Sequence, residues 1–190
     1  YARCFYYIIS LFNRFACKPK LMLDLACGTG NFTYRMAQLG VDLIGVDMSA
    51  DMLGIAREKA ELYNVSPLFL CQKADELDLY GTIDCAVSSL DTINHIDNLE
   101  KVKETFKRIS LFMNMDGIFV FDMNTPYKHK KILGDNVFFY DMDEVYCIWH
   151  NSYDDKNFKT DIELDFFIKN EDDDNYESEG IANLKDVSPA

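Results

Sequence analysis

Leu21–Thr33, written Leu-Met-Leu-Asp-Leu-Ala-Cys-Gly-Thr-Gly-Asn-Phe-Thr, constrains the fold of this chain more than any other stretch. Leu21–Leu25 is an apolar run broken by Asp24 near its carboxyl end, the composition of a strand buried on both faces of a parallel sheet. Gly28 and Gly30 follow at once, and Phe32–Leu39 then carries apolar residues at helical spacing. A strand, a glycine turn and a helix in that order make a nucleotide cradle. The glycines let backbone approach a ligand, and the open N–H groups of a helix start offer donors. Thr33 stands where the dinucleotide fingerprint would have its third glycine. After Gly40 a second strand, Val41–Val46, ends in Asp47, about 20 residues beyond the first glycine, where an acid can hold ribose hydroxyls.

The alternation continues. Ser49 caps a helix over Ala50–Asn64 through Met52, Leu53, Ile55, Ala56, Ala60 and Leu62. Pro67–Gln72 is a third strand and Ile83–Ser88 a fourth, followed by Ser89-Leu90-Asp91-Thr92-Ile93-Asn94-His95. A helix starting at Asp97 and ending near Met115-Asp116-Gly117 leads into a fifth strand, Ile118–Phe121, which closes on Asp122-Met123-Asn124-Thr125-Pro126-Tyr127. In open α/β sheets ligands bind beyond the carboxyl ends of the strands, so the loop after the fourth strand belongs beside the glycine turn. At the amino end, Ile8, Ile9, Leu11, Phe12 and Phe15 give Tyr1–Phe15 the apolar face of a helix, too short and too polar to span a membrane. The first residue is not Met, and the expectation is that residues precede it.

Beyond Tyr127 the pattern changes to β hairpins: Val137–Tyr140, Val145–Tyr153 and Thr160–Ile168. Ile162, Leu164, Phe166 and Ile168 alternate with Asp161, Glu163 and Asp165, and Asp154-Asp155-Lys156-Asn157 is a turn. Glu171–Asp174 reads as a solvated hairpin tip. The expected organisation is a core over 1–127, an antiparallel insertion over 128–176 and an incomplete or discontinuous part over 177–190.

A chain of 190 residues can bury one sizeable core, and its net charge of −13 argues against a phosphate backbone or an anionic membrane surface as partner. A neutral or cationic small molecule suits it better. The six cysteines form no CxxC pair, which suits a reduced, cytoplasmic protein. Cys147-Ile148-Trp149-His150 has no second half to complete a metal site and reads as strand packing; no metal is expected.

Asp24-Leu25-Ala26-Cys27-Gly28-Thr29-Gly30, followed by Gly45-Val46-Asp47-Met48-Ser49, resembles the first two motifs of the class I S-adenosylmethionine-dependent methyltransferases, and the resemblance continues through Gly117–Tyr127. It implies a Rossmann-like, doubly wound and mostly parallel α/β sheet, here with an antiparallel β insertion after the fifth strand as in a bacterial subgroup that acts on small molecules. It implies S-adenosylmethionine as cofactor, held by Asp24, Ala26, Gly28, Gly30, Asp47, Met48, Met52, Asp75, Glu76 and Leu90. Asp24 would position the methionine part, Asp47 the ribose and Asp75 the adenine amino group. Asp91 would lie nearest the transferred methyl, with His95 as a proton acceptor and Tyr127 facing the acceptor cleft. The leading helix covers the cofactor pocket in such proteins; packing against the sheet is the plainer alternative. The insertion is read as a substrate lid offering Tyr140, Tyr146 and Trp149, as a sheet that only packs, or as a dimer contact. Asn124-Thr125-Pro126-Tyr127 is not the acceptor box of base and glutamine methyltransferases, which follows the fourth strand. Two rivals share the cradle: a methyltransferase-like binding or assembly subunit without catalysis, and an NAD(P)-dependent oxidoreductase. The second lacks the third glycine of the dinucleotide fingerprint.

Overall fold

The structure, a computed structural model, describes residues 2–96, 98–170 and 176–187. The chain divides into two compact units, Tyr1–Ile93 with Asn98–Asp122, and Asn94–Asp97 with Met123–Ala190.

In the first unit, strands β1 (Leu21–Leu25), β2 (Asp42–Asp47), β3 (Leu68–Cys71), β4 (Ile83–Ser88) and β5 (Met113–Phe121) form an all-parallel sheet in the order β3-β2-β1-β4-β5. The chain reverses its direction of travel across the sheet between β1 and β4, and such a switch point opens a crevice at the carboxyl ends. Alternation along each strand divides the apolar side chains between the two faces. Met22, Cys85 and Val87 pack with Phe5, Ile8 and Phe12 of α1 (Ala2–Arg14) and with Phe32 and Met36 of α2 (Asn31–Ala37). Leu23, Leu25 and Ala86 pack with Ile109 of α5 (Leu99–Phe112). Helices on both faces explain why β1 and β4 are buried almost throughout, as parallel strands of a doubly wound sheet are.

Several element boundaries depart from the sequence reading. The face of α1 is Phe5, Ile8 and Phe12, while Phe15, beyond the helix end, is exposed. The helix expected over Ala50–Asn64 breaks at Lys59 into α3 (Ala50–Glu58) and α4 (Ala60–Tyr63), and Asn64 ends it in the left-handed region at φ 50°. Asp97 lies outside the described residues; Asn98 caps α5, its Oδ1 accepting from the Glu100 N–H at 2.8 Å. α5 stops at Phe112 and β5 begins at once, with an irregular register between Ile83 and Cys85. Gly117 permits this: a Cβ there would stand 2.3 Å from the Met113 side chain, which folds over the glycine.

At the amino ends of the strands Asp84 ties three neighbours together. Its Oδ2 accepts from the Lys20 and Leu21 N–H groups at 2.7 and 2.9 Å, and its Oδ1 from Asn114 Nδ2 at 2.8 Å. The two backbone N–H groups hold its pKa below the usual carboxylate range. Asp84→Ala is expected to lower stability by about 1–3 kcal/mol in urea unfolding at pH 7, because two strand-start N–H groups lose their acceptor. A depressed carboxylate contributes its stability above the unfolded pKa and loses it as pH falls through the folded one. The difference between variant and wild type should therefore shrink on going from pH 7 to pH 3.

In the second unit β6 (Val137–Met142), β7 (Val145–Asp154), β8 (Lys159–Lys169) and β9 (Tyr176–Val187) make an antiparallel meander in chain order. Cys147, Asn151, Thr160 and Ile162 are buried, and a π-helical turn over Lys128–Leu133 buries His129 and Leu133, with His129 Nδ1 2.9 Å from Thr160 Oγ1. The expected apolar face of β8 fades along the strand: Ile162 is buried and Ile168 exposed, beyond a register shift against β9 between Phe166 and Phe167. Asp154 closes the turn to β8 by accepting from the Lys156 N–H at 2.8 Å. The acidic run expected at a hairpin tip, Glu171–Asp174, lies outside the described residues. No described helix is long and apolar enough to cross a membrane.

Candidate active site

The glycine turn leaves β1 through three left-handed residues, Ala26 at φ 58°, Gly28 at 54° and Gly30 at 75°. Gly30 is needed twice over. Its backbone conformation suits glycine, and a Cβ would lie 3.2 Å from Tyr34 and 3.3 Å from both Ala56 and Phe69. Gly28 differs, since a Cβ there would meet nothing within 4 Å. Space therefore lies open above Gly28, which is what a turn that receives a ligand requires.

Asp47, at the carboxyl end of β2, holds the turn. Its Oδ2 accepts from the Gly28 N–H at 2.8 Å and its Oδ1 from the Ser49 N–H at 2.9 Å. A carboxylate offers about four lone-pair sites, so two remain for hydroxyls of a ligand. Ser49 caps α3 as its position predicts, Oγ accepting from the Met52 N–H at 3.2 Å, and this leaves Met48 and Met52 exposed beside the turn.

Asp24 takes another place. It is 1% exposed, and the Thr33 hydroxyl donates to its Oδ2. Thr33, which replaces the third glycine of the fingerprint, is thus the partner of the acid at the end of β1. Burial pushes the Asp24 pKa up to about 7; the Thr33 hydrogen bond opposes the rise and the nearby Asp47 charge adds to it.

Asp75 and Glu76 lie on a short turn after β3, Asp75 half-buried and Glu76 paired with Lys73 at 3.2 Å. Gln72 fastens this turn with both ends of its amide, donating to the Asp78 carbonyl at 3.1 Å and accepting from the Asp78 N–H at 3.0 Å. After β4, Leu90 and Asp91 both adopt φ 65°, a costly conformation for non-glycine residues and one that collects at ligand sites. Asp122, at the end of β5, supports them: its Oδ1 accepts from the Asp91 N–H at 3.2 Å. Burial first, and the Asp91 charge beside it, raise the Asp122 pKa. Asp47 and Asp122 therefore do the same work, each ending a strand and capturing an N–H of the loop that leaves its neighbour.

Asp24, Ala26, Gly28, Gly30, Asp47, Met48, Met52, Asp75, Glu76, Leu90 and Asp91 all belong to the first unit, on segments at or just beyond the carboxyl ends of β1–β4. His95 and Tyr127 belong to the second, His95 Nδ1 lying 3.2 Å from the Lys185 carbonyl and Tyr127 being exposed. Of the aromatic candidates there, Tyr140 is exposed and Trp149 donates to Asn151 Oδ1 at 2.6 Å. Asp122, Gln72 and Lys59 were not singled out by the sequence. Asp122 alone gave a signal, as an acid closing a strand in the manner of Asp47.

The family model for a methyltransferase domain matches residues 22–117. Over 153 residues the chain is 35% identical to a protein of Geobacillus sp. (strain WCH70) that carries a provisional methyltransferase name, covering 80% of this chain and 62% of that protein. A similarly named protein of Bacillus subtilis (strain 168) is 30% identical over 151 residues, covering 78% and 60%. The chain thus spans about three-fifths of the length of these two relatives. Among solved structures, an S-adenosylmethionine-dependent methyltransferase from Clostridium acetobutylicum superposes with a TM-score of 0.87 at 29% identity, over 97% of this chain and 73% of that one.

Proposed function

The chain belongs to the class I S-adenosylmethionine-dependent methyltransferases, and on that footing we propose that it transfers the methyl group of S-adenosylmethionine to a small-molecule acceptor. The observation that carries this reading is the hold of Asp47 on the glycine turn. One carboxylate fixes the turn that faces open space and keeps two lone-pair sites for a ribose. S-adenosylmethionine, when bound, supplies a methyl carbon already made electrophilic by a positively charged sulfur. The protein then has to position more than to activate, and orientation alone can contribute about 7–11 kcal/mol.

In this reading Gly28 admits the ligand close to the backbone, Asp47 accepts from the ribose hydroxyls and Asp75 accepts from the adenine amino group. Met48 and Met52 give the adenine an apolar, polarisable surface. Asp91, held by Asp122, orients the acceptor and takes the proton that a neutral nucleophile releases. A small molecule fits better than a nucleic acid because the chain's charge of −13 repels a polyanion.

Calorimetric titration with S-adenosylmethionine, S-adenosylhomocysteine and NAD tests the reading. Binding of the first two and not of NAD is the expected result; NAD binding alone, or no binding by folded protein, rejects it. A screen with methyl-labelled cofactor across amines, hydroxyl compounds and enolisable carbon acids then identifies the acceptor. In that screen Asp91→Ala should keep cofactor affinity and lose transfer.

A further inference from the structure

We propose that Lys59 is a positioning residue for the cofactor turn, an inference that rests on the cofactor reading above. Lys59 lies about 30 residues from the turn in sequence, yet its Nζ is within hydrogen-bond reach of three acceptors on that loop. These are the Thr29 carbonyl and Thr29 Oγ1, both at 3.1 Å, and Asn31 Oδ1 at 2.9 Å. An ammonium has three protons and no acceptor site. All three are used, so Lys59 has no donor left for a ligand, and what it does it does through the loop.

The base on which Lys59 stands is rigid. Tyr34 is fully buried, its hydroxyl donates to the Ala56 carbonyl, and its ring stacks on Tyr63 at 4.7 Å with 12° between planes. Arg57 donates to the Phe69 carbonyl at 3.2 Å, tying the end of α3 to β3. Lys59 is the single residue between α3 and α4, and its side chain reaches the turn. Thr29 sits between Gly28 and Gly30, the two left-handed glycines, so the link most able to flex is the one that Lys59 ties down. With Asp47 holding the Gly28 N–H and Lys59 holding the Thr29 carbonyl, the turn is gripped on both its donor and its acceptor groups. Preorganisation of this kind lowers the ordering cost paid on binding.

Lys59→Met keeps the length and apolar stem and removes the three donors. It is expected to raise the dissociation constants of S-adenosylmethionine and S-adenosylhomocysteine equally, by roughly tenfold, as loss of charge-assisted hydrogen bonds does. Lys59→Arg should recover part of the loss. The test is titration of the full chain with S-adenosylmethionine and with S-adenosylhomocysteine alongside urea unfolding. A Lys59→Met protein that is folded and binds like wild type overturns the proposal. So does a loss confined to S-adenosylhomocysteine with the cationic cofactor spared, which would mean relief of charge repulsion in place of positioning. Asn31→Ala and Thr29→Val each remove one acceptor and guard against a Lys59 variant that does not fold. Each should weaken binding about threefold, and combining Asn31→Ala with Lys59→Met should add less than the sum, because both act through one contact. Full additivity overturns the proposal. Failure of wild type to bind S-adenosylhomocysteine overturns the cofactor reading itself, a result distinct from wild-type binding that Lys59 does not influence.

Discussion

Asp47→Ala is expected to weaken S-adenosylhomocysteine binding by about a hundredfold or more while the fold remains. The carboxylate bonds the Gly28 and Ser49 N–H groups at 2.8 and 2.9 Å. Those two bonds are internal and hold the turn. The affinity is lost at the two lone-pair sites left for the ribose, where hydrogen bonds to a charged group at about 1.5–3 kcal/mol each correspond to at least about two powers of ten. Loss of the internal bonds to Gly28 and Ser49 loosens the turn as well. Asp47→Asn should fall between wild type and alanine, since its amide keeps one acceptor but turns an NH2 toward a backbone N–H. Calorimetry gives the affinities and circular dichroism the fold. A loss below about fivefold in folded Asp47→Ala protein would remove Asp47 from the ligand site.

The parts of this site that were legible in the sequence are those carried by local pattern. Leu21–Leu25 and Ile83–Ser88 read as buried parallel strands because helices cover both faces of the sheet, so neither strand has to alternate. Gly28, Gly30 and Asp47 were visible from spacing, and Ser49 from its place before a helix. Asp122, Gln72 and Lys59 were not. Asp122 and Lys59 meet their partners across separations of about 30 residues that only the sheet order closes. Gln72 reads as one more polar loop residue until the chain turns back to place Asp78 against its amide. The break at Lys59 was hidden because helical periodicity continues through it.

The boundaries of the fifth strand and of the leading helix failed differently. The sequence pattern carries the helix to Met115-Asp116-Gly117, whereas Gly117 makes room for Met113 within a strand already begun. Phe15 fitted the apolar stripe of the first helix, but the helix ends at Arg14 and the core is completed by Phe5 from its first turn. In both cases a local preference gave way to packing that depends on partners distant in sequence.

Asp24 leads to the other large effect, on stability and with a definite sign. Its pKa is near 7 in the folded protein, against about 3.9 in an unfolded chain. Between those values the folded state keeps a proton that the unfolded state has lost, so stability falls as pH rises through the window and levels off above about 7. The total is on the order of 4 kcal/mol at full burial. Asp24→Asn keeps an acceptor for the Thr33 hydroxyl and cannot ionise. It should match wild type near pH 4 and exceed it by several kcal/mol near pH 8 in urea unfolding. A difference between the two proteins that does not change with pH would mean that Asp24 is ionised throughout. A buried acid that costs this much above neutral pH, set at the base of the glycine turn, is what a ligand-facing role would explain. The same melts with S-adenosylhomocysteine bound decide whether it has one. The ammonium of the ligand's methionine part would hold Asp24 ionised and flatten the slope, whereas an unchanged slope would leave Asp24 acting only through Thr33.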